Sequence, residues 1–176
     1  MTNKLEDEFQ LSADEILHVI DRSPRCKQMV KGFVAEYHLE RLFQGLKDSG
    51  KIVSFERLNR DGQPDFVVKS NKGSFRVECK MAMAKTRYAD GDMKIDFQRT
   101  RNSPADPTSR FYKRGDFDIV AACLYNQTGK WEFKFIRTSN LLIDQKVGKD
   151  CLMKALRYPG GLPWVNSIES LILRKR

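Results

Sequence analysis

Two acids and a lysine interrupt what otherwise reads as an apolar hairpin. The stretch QPDFVVKSNKGSFRVECK, positions 63–80, carries Asp65, Glu78 and Lys80 among Phe, Val and Cys. Side chains alternate along a strand, so Arg76, Glu78 and Lys80 point one way and Phe75, Val77 and Cys79 the other. The apolar set belongs to the main core and the charged set faces elsewhere. Ser70-Asn71-Lys72-Gly73 has the composition of a four-residue turn. That turn sets Lys69 opposite Ser74, Val68 opposite Phe75, Val67 opposite Arg76, Phe66 opposite Val77 and Asp65 opposite Glu78. Directly opposed β-carbons lie about 4.5–5.5 Å apart, so two carboxylates come side by side with Lys80 one step along. Like charges so placed repel, and solvent, the lysine or a bound cation must compensate. Converging oxygen donors suit a hard divalent metal, Mg2+ above all, which takes one or two protein carboxylates plus waters and a substrate phosphate. The competing reading is a solvated sheet face with a Glu–Lys pair. A one-residue slip of the turn would also move Asp65 to the other face.

The elements around this hairpin follow from local signals. Ser12-Ala13-Asp14-Glu15 has the form of a capping box and opens a short helix to about Asp21. Ser23-Pro24 starts a longer helix that stops near Asp48-Ser49-Gly50. On it, Glu36 falls among Phe33, Leu39 and Phe43 at helical spacing, with Glu40 a rival on nearly the same face. A buried carboxylate there needs a cation or a base such as Arg41 or Lys47. Positions 51–57 predict a strand. Positions 81–115 turn polar, with Pro104 and Pro107, and are too long for a plain connector; they are functional or hold a helix without clear bounds. The run FDIVAACLY at 117–125 predicts a strand covered on both faces. WEFKFIR at 131–137 follows a Gln127-Thr128-Gly129 turn and should pair with it. From Asn140 the pattern breaks into short helical or irregular pieces, interrupted at Pro159-Gly160-Gly161 and Pro163. The expected fold is α/β, with a central mixed sheet of about five strands flanked by helices. One domain over 1–176 is expected, with a helical extension at 1–22, a core at 24–137 and a tail at 138–176.

Composition narrows the function. The 176 residues carry a formal charge of +9, a field that attracts polyanions, nucleic acid foremost, with ribosomes and anionic lipid as softer alternatives. No apolar run is long enough for a transmembrane helix, and the acidic N-terminal stretch does not resemble a secretory signal. Cys26, Cys79, Cys123 and Cys151 lie far apart and read as reduced thiols of a cytoplasmic protein. His18 and His38 are isolated, which gives no zinc spacing. Between positions 85 and 114, Lys85, Arg87, Lys94, Arg99, Arg101, Arg110, Lys113 and Arg114 alternate with Tyr88, Phe97, Phe111 and Tyr112. Directly after the acidic hairpin, this segment reads as DNA-contacting, with a solvated, flexible loop as the competing reading. Trp131 and Trp164 read as core or edge residues.

Pro64-Asp65, twelve residues, then Glu78-Cys79-Lys80, with Gly32-Phe33-Val34-Ala35-Glu36 on the upstream helix, resembles the PD-(D/E)XK nuclease superfamily. The similarity covers about residues 24–137 and implies a restriction-endonuclease-like core, ordered helix, three strands, helix, strand. It implies Asp65 and Glu78 as metal ligands, joined by the main-chain carbonyl of Cys79. Lys80 would orient or activate the attacking water, and Glu36 would assist as a ligand or through water. The implied activity is a Mg2+-dependent endodeoxyribonuclease, with Mn2+ able to substitute, leaving 5′-phosphate and 3′-hydroxyl ends. A small type II restriction-like homodimer acting on DNA is the leading expectation, with no small-molecule cofactor and no membrane. Alternatives are a structure-selective nuclease similar to Holliday junction resolvases and a non-catalytic DNA-binding module of the same fold. An RNA- or ribosome-associated protein would leave the carboxylate pair unexplained. Gln98 is followed four residues later by Asn102 rather than tyrosine, which points away from the RecB-like branch. Gln98 therefore stands with Arg99, Arg101, Arg110, Lys113 and Arg114 as a candidate DNA contact.

Overall fold

The computed structural model describes residues 4–58, 60, 62–99, 103 and 105–173, with the backbone alone at Lys85 and Thr86. The chain divides into two units, Met1–Val34 and Ala35–Arg176.

The first unit is helical. It contains α1 (Lys4–Phe9), α2 (Ala13–Arg22) and the start of α3 (Pro24–Asp48). The capping box forms as expected: Glu15 N–H donates to Ser12 Oγ at 3.3 Å and Ser12 N–H to Glu15 Oε2 at 2.8 Å. The Ser23 hydroxyl then accepts from Cys26 N–H at 3.3 Å, and Pro24 takes the first helical position, where its missing N–H is harmless. No described residue between positions 4 and 34 is buried.

The second unit is a mixed α/β structure built on seven strands. The rest of α3 ends at Gly50, whose φ of 70° allows the left-handed C-terminal cap. Strands β1 (Ser54–Arg57), β2 (Phe66–Ser70) and the 15-residue β3 (Gly73–Arg87) form an antiparallel meander. The β2–β3 register is the one the turn chemistry predicts, from Phe66 opposite Val77 to Lys69 opposite Ser74. Gly73 sits at φ 135°, which closes the hairpin around Asn71-Lys72. The fully buried β5 (Ile119–Cys123) runs parallel to β3, and β6 (Phe133–Arg137) returns antiparallel to β5. A four-residue helix, α4 (Tyr125–Thr128), stands where a plain turn is expected between them.

Three expectations need correction. The polar segment after Met81 is not a long connector. β3 runs on to Arg87 and pairs with β4 (Met93–Asp96), because Ala82 and Ile95 are both apolar and pair across the strands. Among the described residues no helix lies between β3 and β5, so the helix of the expected core order is absent there. The tail contributes β7 (Ala155–Tyr158), which pairs with β4, and ends in α5 (Glu169–Ile172). Seven strands replace the expected five because these short strands lack a strong period of two.

Two apolar layers cover the sheet. On one face Ala35, Leu39 and Phe43 of α3 pack on Phe66, Val68, Phe75, Val77 and Cys79. On the other, Ala82, Ile95, Phe97, Tyr112 and Phe117 pack with Val120, Ala122 and Leu156. Strand β5 alternates between them, which is why it reads as continuously apolar. All four cysteines are free thiols. Among the described residues no helix is long and apolar enough to cross a membrane.

Candidate active site

Glu78 and Lys80 lie on the face of β3 that the second apolar layer covers. The charged side of the strand is therefore closed over at Glu78, which is only 4% exposed. A carboxylate buried this far must find donors, and it finds two at one oxygen. The Tyr112 hydroxyl donates to Glu78 Oε1 at 2.5 Å, and Lys80 Nζ lies 2.8 Å from the same atom. In the parallel ladder Lys80 neighbours Ala122, and a small side chain there leaves room for the long one beside it. The ammonium also lies 5.2 Å from the Tyr112 ring centroid, with the Arg99 guanidinium 5.4 Å from the same ring.

Burial works against the Lys80 charge, but Glu78, Tyr112 and Asp65 outweigh it and hold its pKa above the ordinary lysine value. Burial, with Glu78 beside it, likewise pushes the Tyr112 hydroxyl up. Lys80 is thus a permanent cation and Tyr112 a permanent donor at neutral pH.

Asp65 sits one residue before β2, where the register points at Glu78. Its Oδ2 accepts from Cys79 N–H at 2.7 Å, so the carboxylate caps the strand edge that β2 leaves open. The N–H and C=O of one strand residue share an edge, which directs the Cys79 carbonyl toward Asp65 as well. Burial first, then the Glu78 charge, pushes the Asp65 carboxyl up to about 7, against the pull of Lys80 and the Cys79 N–H; Glu36 adds to the rise. The Glu78 charge is close enough to oppose the ionisation of Asp65.

Glu36 does not lie inside an apolar stripe. The buried stripe of α3 is Ala35, Leu39 and Phe43, whereas Phe33 is 55% exposed. Glu36 borders that stripe and is held by Arg57 of β1 at 2.6 Å, with Glu40 on the same guanidinium at 3.6 Å. The base that satisfies it comes from the adjacent strand, not from Arg41 or Lys47 on its own helix. Of the two glutamates, Glu36 is the one that raises the Asp65 pKa.

Several side chains of the basic segment are tied into the fold where it is described. Phe97, Phe111 and Tyr112 are buried, and Tyr88 lies under the Arg157 guanidinium at 4.3 Å. Arg99 pairs with Asp116 at 2.6 Å, and Arg110 lends its carbonyl to Arg99 N–H. Buried Nε atoms of both arginines lack a partner among the described residues. Gln98 bonds Asp96 at 2.9 Å. Lys113 and Arg114 are exposed, the latter reaching the Leu141 carbonyl at 3.4 Å. Arg101 lies outside the described residues. Trp131 is half-buried and stacks between Tyr125 and His38, with centroids 3.9 and 4.7 Å away. The Trp164 indole N–H donates to the Arg157 carbonyl. Both tryptophans are packed, as expected. Tyr112 is the residue that sequence reasoning missed in this role, since no spacing links it to a glutamate 34 positions away.

A hard cation fits the donor set in one respect and is limited in another. Glu78 Oε2 and Asp65 Oδ1 carry no hydrogen bond among the described residues, while their partner oxygens are anchored. Yet no three His, Cys, Asp or Glu side chains among the described residues are arranged to hold a metal by themselves. Water and substrate oxygens would have to complete the shell, the usual situation for Mg2+.

No protein-family model matches the sequence, and no curated protein matches it. Among solved structures, the chain is similar to a bacterial homing endonuclease, I-Ssp6803I, at 16% identity, covering 73% of this chain and 76% of that one with a TM-score of 0.46.

Proposed function

We propose that the protein is a Mg2+-dependent DNA endonuclease in which Asp65 and Glu78 hold the metal and Lys80 serves the attacking water. One observation carries this reading. A buried glutamate, oriented by Tyr112 and Lys80 at one oxygen, faces an aspartate whose carboxyl is pushed up to about 7 by burial and by that glutamate. A fold gains nothing in stability from such an arrangement, and groups so perturbed concentrate at functional sites. A divalent cation held by Asp65 and Glu78 would relieve the repulsion, lower the pKa of a bound water and neutralise a phosphate oxygen.

The chain's own residues supply the rest. Asp65, fixed by the Cys79 N–H, presents Oδ1; Glu78, fixed through Oε1, presents Oε2; the Cys79 carbonyl shares the edge. Lys80 keeps its proton at neutral pH, so it donates to the water or to the phosphate oxygens and does not act as the base. Glu36, tied to Arg57, acts through the field at Asp65 or through water. Arg99, whose guanidinium lies 5.4 Å from the Tyr112 ring centroid, would meet a flanking phosphate, with Gln98, Arg110, Lys113 and Arg114 as further contacts. In-line attack of water on phosphorus, with the bond to the 3′-oxygen breaking and that oxygen leaving as a hydroxyl, would give 5′-phosphate and 3′-hydroxyl ends. Cutting both strands calls for two copies, and restriction-type cleavage is the preferred form, by a single nuclease domain within 1–176.

Incubation with supercoiled, linear and branched DNA tests the reading. With Mg2+ the wild type nicks or linearises, EDTA stops it, and Lys80→Ala slows it at least 1,000-fold while DNA binding persists, on the order expected for losing a charged group at the reacting centre. No cleavage of any substrate by the wild type at micromolar enzyme would sink the proposal. Discrete fragments indicate sequence specificity, and cutting of branched DNA alone indicates a resolvase.

A further inference from the structure

We propose that the Met1–Val34 unit is a self-association surface, which pairs in two-fold fashion with the same unit of a second copy of this chain. This does not rest on the nuclease reading; it starts from burial. The unit is folded, with a completed capping box and three helical segments, yet none of its described residues is buried. Eleven large hydrophobic side chains are exposed among the described residues, and seven of them lie between positions 5 and 33. They follow the helices. Phe9 is 51% exposed on α1, Leu17 62% on α2, and Met29 and Phe33 64% and 55% on α3. Met29 and Phe33 stand one turn apart and so share a face. An apolar surface this concentrated marks an interaction site, since single scattered hydrophobics would be spread over the chain.

Charge identifies the occupant. The whole protein is at +9, but Met1–Val34 holds five bases against six acids and Ala35–Arg176 holds 27 against 17. The apolar unit therefore has no share in the polyanion-attracting excess, which disfavours nucleic acid or an anionic membrane as its partner. Within the unit the charges are segregated. Lys4–Glu15 has one lysine against five acids, whereas Asp21–Lys31 has four bases against one acid. An acidic segment followed by a basic one makes the unit complementary to its own copy turned through two-fold symmetry, because an isologous contact can set each segment against the opposite one. Under the proposed function, the pairing supplies the second active site that double-strand cleavage needs.

Sedimentation equilibrium of the full chain tests this, with no dependence on catalysis. The wild type at about 50 μM is expected at twice the 20.4 kDa of one chain, and Leu17→Glu with Phe33→Glu should loosen the dimer at least 100-fold. Circular dichroism checks that this variant keeps its helices. A second arm leaves packing untouched. Glu8→Lys with Asp14→Lys, and separately Arg22→Glu with Arg25→Glu, should each weaken self-pairing at least tenfold. Mixed together, the two should restore a dimer. A wild type at one chain mass, with or without affinity for anionic vesicles, overturns the proposal. So does a dimer that survives both the apolar and the charge variants, or a mixture of the charge variants that stays monomeric. Loss of cleavage with the dimer intact would fault the nuclease reading alone.

Discussion

Desolvation and the Glu78 charge together push the Asp65 carboxyl up to about 7, against about 3.9 in an unfolded chain. Between roughly pH 4 and 7 the unfolded chain releases this proton while the folded chain keeps it. The folded state therefore binds more protons over that window, and stability falls as pH rises through it, with the full penalty above pH 7. Asp65→Asn removes the charge and keeps an oxygen for the Cys79 N–H. In metal-free buffer at pH 8 it should be more stable than wild type by on the order of 1–3 kcal/mol, discounted because the side chain still reaches solvent. At pH 4 the difference should vanish. Urea titrations at the two pH values check this, and equal stability at pH 8 would remove Asp65 from the conflict. The gain should come with loss of cleavage, as when a site is kept at the fold's expense. Tyr112→Phe keeps the ring under Lys80 and removes only the donor to Glu78. It should lower stability by about 1–3 kcal/mol and raise the Mg2+ concentration for half-maximal cleavage by about 10- to 100-fold. A stability change with an unaltered Mg2+ dependence would make Tyr112 a packing residue only.

At the scale of elements, β3 does most of the positioning. Its first half holds Glu78, Cys79 and Lys80 between β2 and β5, and its second half reaches β4. The hairpin register was legible because the turn at Ser70–Gly73 is chemically specific and Phe75, Val77 and Cys79 alternate cleanly. Gly73 sits at φ 135° with open space where a Cβ would stand, so strain and not collision is the expected penalty of Gly73→Ala. About 1–3 kcal/mol should be lost, measurable as a lower denaturation midpoint with an unchanged m-value. A loss under about 0.5 kcal/mol would mean that the turn relaxes and does not pin the register. The helix α3 was likewise legible from its Ser23-Pro24 start and Gly50 stop, but the rotation of Glu36 was not. Phe33 suggests an apolar stripe that the fold leaves exposed, because apolar spacing alone does not say which part of a long helix reaches the sheet.

Across the whole molecule the positive charge is concentrated in Ala35–Arg176, with 27 bases against 17 acids. DNA binding by such a surface releases condensed counterions, so affinity should fall steeply with salt. Five phosphate contacts would give a log–log slope of about −4.5 on duplex DNA. Fluorescence anisotropy on a labelled duplex between 50 and 200 mM salt measures it. A flat response would exclude the basic surface as the binding site. Arg99→Ala should reduce the slope by about one phosphate contact, since its guanidinium is already held in place by Asp116 and Tyr112.

Local signals along the chain suffice for the capped helices, the hairpin and its register, the doubly covered strand β5, and hence the approach of Asp65 to Glu78. Alternation, caps and turn chemistry act over a few residues, so they can be read without coordinates. What closes over these residues is settled by long-range packing. The second apolar layer comes from Phe97, Tyr112, Phe117, Leu152 and Leu156, which stand far from the hairpin in sequence and carry no period pointing to it. That layer closes over Glu78 and supplies Tyr112 to it. The reason is physical: burial depends on every element packed above a residue, whereas spacing reports only its own.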